Sequence, residues 1–361
     1  MSNYIDTSTP YNNLMKLAVL DISKLQYNKE LLLEARKQLH ILEGTTLAQP
    51  ELIARLFDVT VLQEALKSSE IEGIHTTPFE VFAYDLLKTN KSSPEEKVSN
   101  YRKAIIDLIS EKEDYYPITH RSFTKLHNNI LPNEDSNIRK TNRKIVNHKT
   151  GEVRFIPPDH TLLPDFITDL ENFINSKDID ILIKIPITHY QFECVHPFSD
   201  GNGRTGRLLI LLQLLDSNML KYPVVHLSKF INKDKSYYSD LLLKTTKEEC
   251  WGELIDYFSI GMIETVKSTI AMIVSLKKHI LYIEEVCRKE LPTGNDPSKI
   301  ANYLIANPVT NIQEFSDSIG VARDTGKKYL NILKNKDIMV HKKIGVNSVY
   351  GDLKTLEILQ N

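Results

Sequence analysis

The sequence predicts a mainly α-helical fold that contains one β-hairpin and ends in a small domain of helices followed by strands. Three observations predict it. Apolar residues recur at three- and four-residue spacing over most of the chain. One interior stretch, KIVNHKTGEVRFI at 144–156, departs from that spacing as two short strand-like runs. A cluster of Pro, Gly, Asn and Asp, LPTGNDPS at 291–298, has linker chemistry and sets off 297–361.

In chain order, the 31–42 and 50–72 segments carry helical spacing with few Gly or Pro inside, and form an N-terminal helical region over 1–100. Helical patterns continue at 99–111, 119–130, 162–174, 186–195, 204–215 and 234–247, then at 251–288, which is long enough to admit a break. In the hairpin, Lys149-Thr150-Gly151 makes the turn, because Gly suits a left-handed position. Pro157-Pro158 ends it, since proline cannot extend a strand ladder. Past the linker, 300–305, 312–319 and 321–333 read as helices, with Gly320 turning between the last two. Strands at 338–342 and 346–350 flank Gly345. The resulting division is 1–100, 101–265, a connecting helix and linker at 266–296, and 297–361. No internal repeat or low-complexity tract is visible.

Composition narrows the function classes. The 361 residues suffice for two or three domains. A hydrophobic fraction of 41% and a charged fraction of 25% exclude disorder along the whole chain. Lys+Arg 45 against Asp+Glu 47 excludes a globally basic coat for nonspecific nucleic-acid binding, leaving only local patches. Cys194, Cys250 and Cys287 are few, distant and odd in number, which excludes a disulfide scaffold and suits a reducing compartment. The N-terminal MSNYIDTSTPYNNLMKL has no basic start followed by an apolar run, so no secretory signal is expected. The apolar run at 208–215, broken by Gln213 and flanked by Arg207 and Asp216, is far too short to span a bilayer. A cytoplasmic protein with no membrane partner is expected.

The informative string is HPFSDGNGRTGR at 196–207. The preceding helix must end near His196, because Pro197 disfavours helical geometry in the residue before it. Asp200-Gly201-Asn202-Gly203 then turns the chain, and Arg204 opens an apolar helix. A glycine-rich turn at a helix N-terminus is an anion site, since unpaired N–H groups and the helix dipole both favour phosphate. Arg204 and Arg207 add permanent charges whose fork geometry suits phosphate oxygens. Asp200 is a hard oxygen ligand suited to Mg²⁺, which takes one or two carboxylates together with substrate phosphates. His196 stands at the mouth as a candidate general base, with an ordinary imidazole pKa of about 6.5. The string lacks the Gly-Lys-Ser/Thr element of a Walker loop, and the chain lacks the His-Arg-Asp and Asp-Phe-Gly strings of a protein kinase. Taken singly, each residue would be an ordinary helix end, turn or solvated helix face. Their joint spacing is what describes a nucleotide site.

HPFSDGNGRTGR resembles the signature of the Fic family, H-P-F-x-D/E-G-N-G-R-x-x-R, at every fixed position. Eight fixed residues at average frequencies near 5% coincide by chance about once in 10¹⁰ positions. HYQFECV before the signature, Phe155-Ile156-Pro157-Pro158 at the hairpin exit and CWGELIDYF after it also resemble the family core. The resemblance implies a Fic-type helical bundle with the hairpin as a flap. It also implies transfer of AMP from ATP to a Ser, Thr or Tyr hydroxyl of a target protein, with Mg²⁺, and with self-modification open. His196 would take the proton from the target hydroxyl, and Asp200 would hold the Mg²⁺. Gly201, Asn202 and Gly203 would form the anion cradle. Arg204 and Arg207 would grip the β- and γ-phosphates, and Phe198 would pack inward and fix the loop. Doc-type relatives phosphorylate instead, but their loop lacks the Gly203-Arg204 pair present here.

Ser68-Ser69-Glu70-Ile71-Glu72-Gly73 resembles the family's inhibitory motif, S/T-x-x-x-E-G/N. Ser68 and Glu72 share a helix face, and Gly73 suits a helix C-terminal cap. The resemblance implies that Glu72, supported by Ser68, reaches Arg207 and blocks productive γ-phosphate placement. It leaves open the reverse reaction, removal of AMP. As a flap, the hairpin would pair its edge with an extended target segment through Ile145 and Val146. Here the sequence departs from the family pattern. Ser136 stands where a glycine is expected before Arg139, and the usual aromatic or apolar flap position falls on either Lys144 or Ile145.

The order of elements in 297–361 resembles a winged helix-turn-helix. Arg323, Lys327, Lys328 and Lys334 lie on the candidate recognition helix, with Asp324 between them. From Asp296 onward nine Lys/Arg stand against seven Asp/Glu, a net of +2, less basic than dedicated DNA-binding domains. DNA, a protein contact and homodimerisation all remain open for this module. The alternative to a transferase is a DNA-binding regulator whose core senses nucleotide. His189, Cys194 and His196 match no common zinc spacing, and Cys194 reads as a small core residue.

Overall fold

The computed structural model describes residues 6–88, 93–146 and 150–360. The fold is mostly helical with two small antiparallel sheets. The chain divides into two compact units, each assembled from separated stretches: 1–43 with 103–266, and 44–102 with 267–361.

The first unit is built around two central helices, Ile181–Val195 and Asn202–Asp216, packed on each other. Both are buried nearly all round, which is why their sequences show almost no polar face. His120–Ile130 covers Asn202–Asp216, and Leu163–Asn175 covers Ile181–Val195. Ile181–Val195 begins five residues before the 186–195 read from the sequence, carrying Pro186 inside it. Asp180 provides the reason: its side chain accepts from Leu182 N–H at 2.9 Å and caps the helix. A Cβ on Gly206 would lie 2.4 Å from Glu193 Oε1 and 3.1 Å from Phe192 Cδ1, so this glycine sets how closely the two helices approach. Near the N-terminus, Asp169 accepts from Leu17 N–H at 2.6 Å and Ala18 N–H at 3.0 Å, pinning a short turn against Leu163–Asn175.

The hairpin pairs Ile145–Val146 with Val153–Phe155, in register Ile145↔Phe155 and Val146↔Val153 with an irregularity between them. Gly151 has φ 72°, as its turn position requires, while Lys149 lies outside the described residues. Arg154 fastens the hairpin to the Lys235–Glu248 helix, donating to Ser239 Oγ at 3.2 Å and to Asp240.

The 251–288 pattern is one unbroken helix, Trp251–Glu290, and the division between units falls within it. By length and composition this helix could cross a bilayer, with a mean hydropathy of 1.3 over 18 residues, yet half of that window is buried in the folded chain. Leu254, Ile255 and Phe258 on it belong to the core.

In the second unit, Pro50–Ile71 packs against Pro297–Ala306 and Leu353–Gln360. Arg102 holds Asp58 at 2.7 and 2.9 Å and Asp85 at 2.7 Å, joining three helices through one guanidinium. The C-terminal elements appear in the order expected: Pro297–Ala306, Ile312–Ile319 and Arg323–Asn335, then strands Met339–Ile344 and Asn347–Asp352. A further strand, Val309–Thr310, completes a three-stranded sheet with Asn347–Asp352 in the centre. Gly320, at φ 79°, caps Ile312–Ile319 and makes the turn. Among the described residues, the α-helices Pro78–Leu87, Leu227–Lys233 and Leu353–Gln360 went unread in the sequence. Each is ten residues or fewer, so few apolar repeats mark it in the sequence, though helices as short at 297–306 and 312–319 were read.

Candidate active site

The 196–207 loop joins the two central helices of the first unit, and its geometry follows from how each helix ends. His196 caps Ile181–Val195 in the left-handed conformation, φ 52° and ψ 62°, with its N–H on Phe192 O at 2.9 Å. Its ring Nδ1 lies 3.2 Å from Glu193 O. A carbonyl only accepts, so Nδ1 is the donor in this bond. The ring is half-buried at the mouth of the loop.

Phe198 is fully buried and stacks on His127, ring centroids 4.2 Å apart. Asn202 then staples the loop across itself. Its Oδ1 accepts from Phe198 N–H at 2.8 Å and its Nδ2 donates to Phe198 O at 2.9 Å. The Asn202 side chain is therefore committed to the loop's shape. Gly201 has φ 75°, and a Cβ there would lie 2.7 Å from Leu131 Cδ1 and 3.2 Å from His127 Nε2. Conformation and space both demand glycine.

Helix Asn202–Asp216 starts here. Its intrahelical ladder begins with Thr205 N–H on Gly201 O at 3.0 Å, and the Thr205 hydroxyl donates to the same oxygen at 2.9 Å. Helix geometry leaves the earlier N–H groups of the first turn outside that ladder. Arg204 and Arg207 follow within the first two turns, and both are buried. Asp200 is the opposite case. Its side chain is 78% exposed, and Arg204 Nη2 lies 3.9 Å from its Oδ2. The loop thus offers a helix N-terminus, two buried guanidinium groups and one solvent-facing carboxylate. Such a set suits a polyphosphate carried with a hard cation. Among the described residues no group of three His, Cys, Asp or Glu could hold a metal by protein ligands alone, and Mg²⁺ needs only a carboxylate or two when phosphates complete its shell.

Nearby titratable groups are tuned away from chemistry. His189 is fully buried, bonded to Tyr238 OH at 2.7 Å, and held neutral by burial and the Arg207 charge, its pKa pushed down to about 3. Burial pushes the Cys194 thiol up to about 12, and its Sγ rests 3.8 Å from Thr246 Oγ1.

Two residues central to this geometry were not singled out from the sequence. Arg139 is buried, and burial pulls its pKa down to about 10, which leaves it charged at neutral pH. It donates to His196 O at 2.8 Å, Pro158 O at 2.7 Å, Thr141 O at 3.0 Å and Val195 O at 3.3 Å, while its own N–H donates to Pro197 O at 2.8 Å. One side chain therefore ties the end of the helix, the hairpin exit and the segment before the hairpin. The second residue, His127, lies beneath Asp200 and Gly201.

Of the remaining residues read from the sequence, Ile145 is half-buried and Val146 exposed on the hairpin edge. Ser68 and Glu72 lie in the second unit. Ser68 is fully buried in Pro50–Ile71. Glu72 is the C-cap residue, half-buried, with its N–H on Ser69 O at 3.0 Å, and Gly73 follows at φ 77°.

Family comparisons fall on these same segments. Residues 117–214 match the Fic/DOC family model, Fic, and residues 29–107 match the model of the family's N-terminal region. The chain carries a Fic domain. The matched Fic domain includes the hairpin, the 196–207 loop, Arg139 and His127. A relative from Aquifex aeolicus, named "Probable protein adenylyltransferase", is 35% identical over 115 residues, which is 32% of this chain and 35% of that protein. The Caenorhabditis elegans protein adenylyltransferase fic-1 is 30% identical over 141 residues, 37% of this chain and 25% of that protein. The chain thus spans about a third or less of the curated relatives it matches. Among solved structures, a Fic family protein from Desulfovibrio desulfuricans aligns over 91% of this chain and 97% of its own, with TM-score 0.60 and 16% identity. C. elegans Fic-1 aligns over 69% of this chain and 74% of its own, with TM-score 0.52 and 20% identity. These similarities concern the fold.

Proposed function

We propose that this chain is a protein adenylyltransferase: it transfers AMP from ATP to a Ser, Thr or Tyr hydroxyl of a protein and releases pyrophosphate. The observation that carries the reading is His196, half-buried at the mouth of a loop whose far side is a helix N-terminus with Arg204 and Arg207 buried in it. The names of the A. aeolicus and C. elegans relatives support the same chemistry. His196 Nε2 accepts the hydroxyl proton as the hydroxyl oxygen attacks the α-phosphorus. The α–β bridging bond breaks and pyrophosphate departs with that electron pair. Arg204, Arg207 and the helix N-terminus bind the β- and γ-phosphates and stabilise the developing charge. Gly201, Asn202 and Gly203 shape the cradle, and Phe198 anchors it. Asp200, facing solvent, would hold Mg²⁺, which would neutralise phosphate charge when bound.

Target recognition is assigned to the hairpin edge at Ile145 and Val146, where an extended segment would add as a strand. Autoinhibition is assigned to Glu72, at the end of Pro50–Ile71, with Ser68 supporting it. The acceptor is another protein or the chain itself. The three free cysteines suit a cytoplasmic setting.

The test is intact mass after incubation with ATP and Mg²⁺, with and without cell extract. The expected result is one AMP adduct on the chain or on a protein of the extract, increased by Glu72→Gly and absent with His196→Ala. No adduct with any variant would overturn the transferase reading. An adduct unchanged by Glu72→Gly would overturn the brake.

A second reading rests on a separate observation. Arg323, Lys327, Lys328 and Lys334 are exposed on one helix of the C-terminal module, and Lys343 is exposed on the adjoining strand. Such cations suit the phosphates of duplex DNA, which would make this module winged-helix in function as well as in element order. Binding that weakens steeply with salt would support it, and no binding at low salt would sink it.

A further inference from the structure

His127 is 73 residues from Asp200 in sequence and in direct contact with it in the fold. The ring is buried and bonded at both nitrogens: Nε2 lies 2.9 Å from Asp200 O and Nδ1 lies 2.9 Å from Ser136 Oγ. Asp200 O is a carbonyl and can only accept, so Nε2 carries hydrogen. A buried neutral imidazole has one hydrogen, so Nδ1 accepts from the Ser136 hydroxyl. The three groups form one directed chain, Ser136 Oγ–H to His127 Nδ1, then His127 Nε2–H to Asp200 O. Above the ring, Gly201 leaves no room for a Cβ, and beside it Phe198 stacks. His127 therefore touches the turn at its carbonyl, its glycine and its aromatic anchor. The Asp200 carbonyl selects the tautomer, and Ser136, which departs from the glycine expected at its position, supplies the hydroxyl that satisfies the remaining ring nitrogen.

We infer that His127, bonded through Nε2–H to Asp200 O and braced at Nδ1 by Ser136, is a positioning residue that fixes the Asp200–Gly201 turn, and with it the aim of the Asp200 carboxylate and of the helix N-terminus that binds phosphate. It touches neither nucleotide nor target. The inference rests on the nucleotide-transfer reading for its consequence, but not for its geometry.

The experiment separates the two. Histidine ring ¹⁵N resonances of the full chain, assigned through His127→Gln, report the tautomer without any activity. The expected state of His127 is Nε2–H in the wild type and in Ser136→Ala alike, because the Asp200 carbonyl remains in both. Affinity for ATP is then titrated with and without Mg²⁺ in His127→Gln and His127→Phe, each checked for folding by circular dichroism. Glutamine keeps an N–H that can reach Asp200 O but loses the ring. Phenylalanine keeps the stacking on Phe198 but loses the donor. Loss of an outer-shell partner of this kind costs about 10- to 100-fold in metal-dependent affinity, so that loss is expected in His127→Phe and largely rescued in His127→Gln. An Nδ1–H tautomer in the wild type overturns the inference. So does His127→Phe binding as well as or better than His127→Gln, because a ring needed only for packing would give that order. A wild-type chain that binds no ATP would instead overturn the nucleotide reading, and the tautomer result would then decide the geometric part by itself.

Discussion

Arg139 Nε donates to the carbonyl oxygen of His196 at 2.8 Å, so the backbone of the candidate base is held by a buried guanidinium from 57 residues away. The same guanidinium holds Pro158 O at the hairpin exit. The 196–207 loop and the proposed target flap therefore share one anchor. Arg139→Lys keeps the charge but cannot span this fork of carbonyls. Displacement of a reacting group by about 1 Å can cost on the order of 100-fold in rate. The expected outcome is a fall of that order in AMP transfer, with ATP affinity within a few-fold of wild type because the helix N-terminus is intact. Single-turnover rates and ATP titration measure the two separately.

Stability should fall with acid through His189 and His226. Burial is the main cause holding both neutral, with pKa values pushed down to about 3. The folded state therefore binds fewer protons than the unfolded state wherever the free imidazole is charged. The stabilising contribution is present above about pH 6.5 and is lost as pH falls toward 3, with a slope of up to about 1.4 kcal/mol per pH unit for each histidine. Urea midpoints measured between pH 7.5 and about 4.5 should decline, and His189→Gln should flatten the decline. A wild-type midpoint constant over that range would contradict it.

The 196–207 loop was legible because its determinants are local: a proline after the base, glycines at the turn and arginines at helical spacing from it. The helices with a long apolar period were legible for the same reason. What could not be read is non-local. Arg139 and His127 each serve the loop from the far side of the hairpin segment, and nothing about a lone Arg or His in sequence marks which carbonyl it will meet. Asp180 as the cap of Ile181–Val195 was also hidden, because Pro186 reads as a helix start when the preceding cap is not recognised. The departure noted in sequence at Ser136 gains a reason only once His127 is beside it.

Gly252 should resist substitution more than its helical setting suggests. A Cβ there would lie 1.7 Å from the backbone oxygen of Gln26, which crosses the start of Trp251–Glu290. No rotamer change can relieve a backbone clash, so Gly252→Ala must move the 26–28 segment and strain the 2.8 Å bond from Asn28 N–H to Asp256. A cost of about 1–3 kcal/mol is expected. The adjacent Trp251, buried and the sole tryptophan, should report the shift as a red-shifted emission. Gly44 provides the contrast, since a Cβ there meets nothing within 4 Å and Gly44→Ala should gain about 0.5–1 kcal/mol by helix propensity.

In the second unit the C-terminal helix is tied down by a buried contact between a histidine and a carboxylate. Asp352 is completely buried, and His279 Nε2 lies 2.8 and 3.0 Å from its two carboxylate oxygens. Asp352 also accepts from Lys354 N–H and Thr355 N–H at 3.1 Å and from the Thr355 hydroxyl at 2.9 Å, so it caps Leu353–Gln360 as it receives the histidine. Removing one partner of such a pair leaves a buried polar group without it, which costs about 1–3 kcal/mol. His279→Ala should therefore destabilise this unit by that order. Asp352→Asn should cost less, because an amide oxygen can still accept from Thr355 and from the histidine. The double variant should be less destabilised than the sum of the two, since the second change removes the group that the first left exposed to a low dielectric. Urea denaturation followed by circular dichroism for the four proteins of the cycle measures the coupling, and strict additivity would show that the pair contributes nothing beyond its separate contacts.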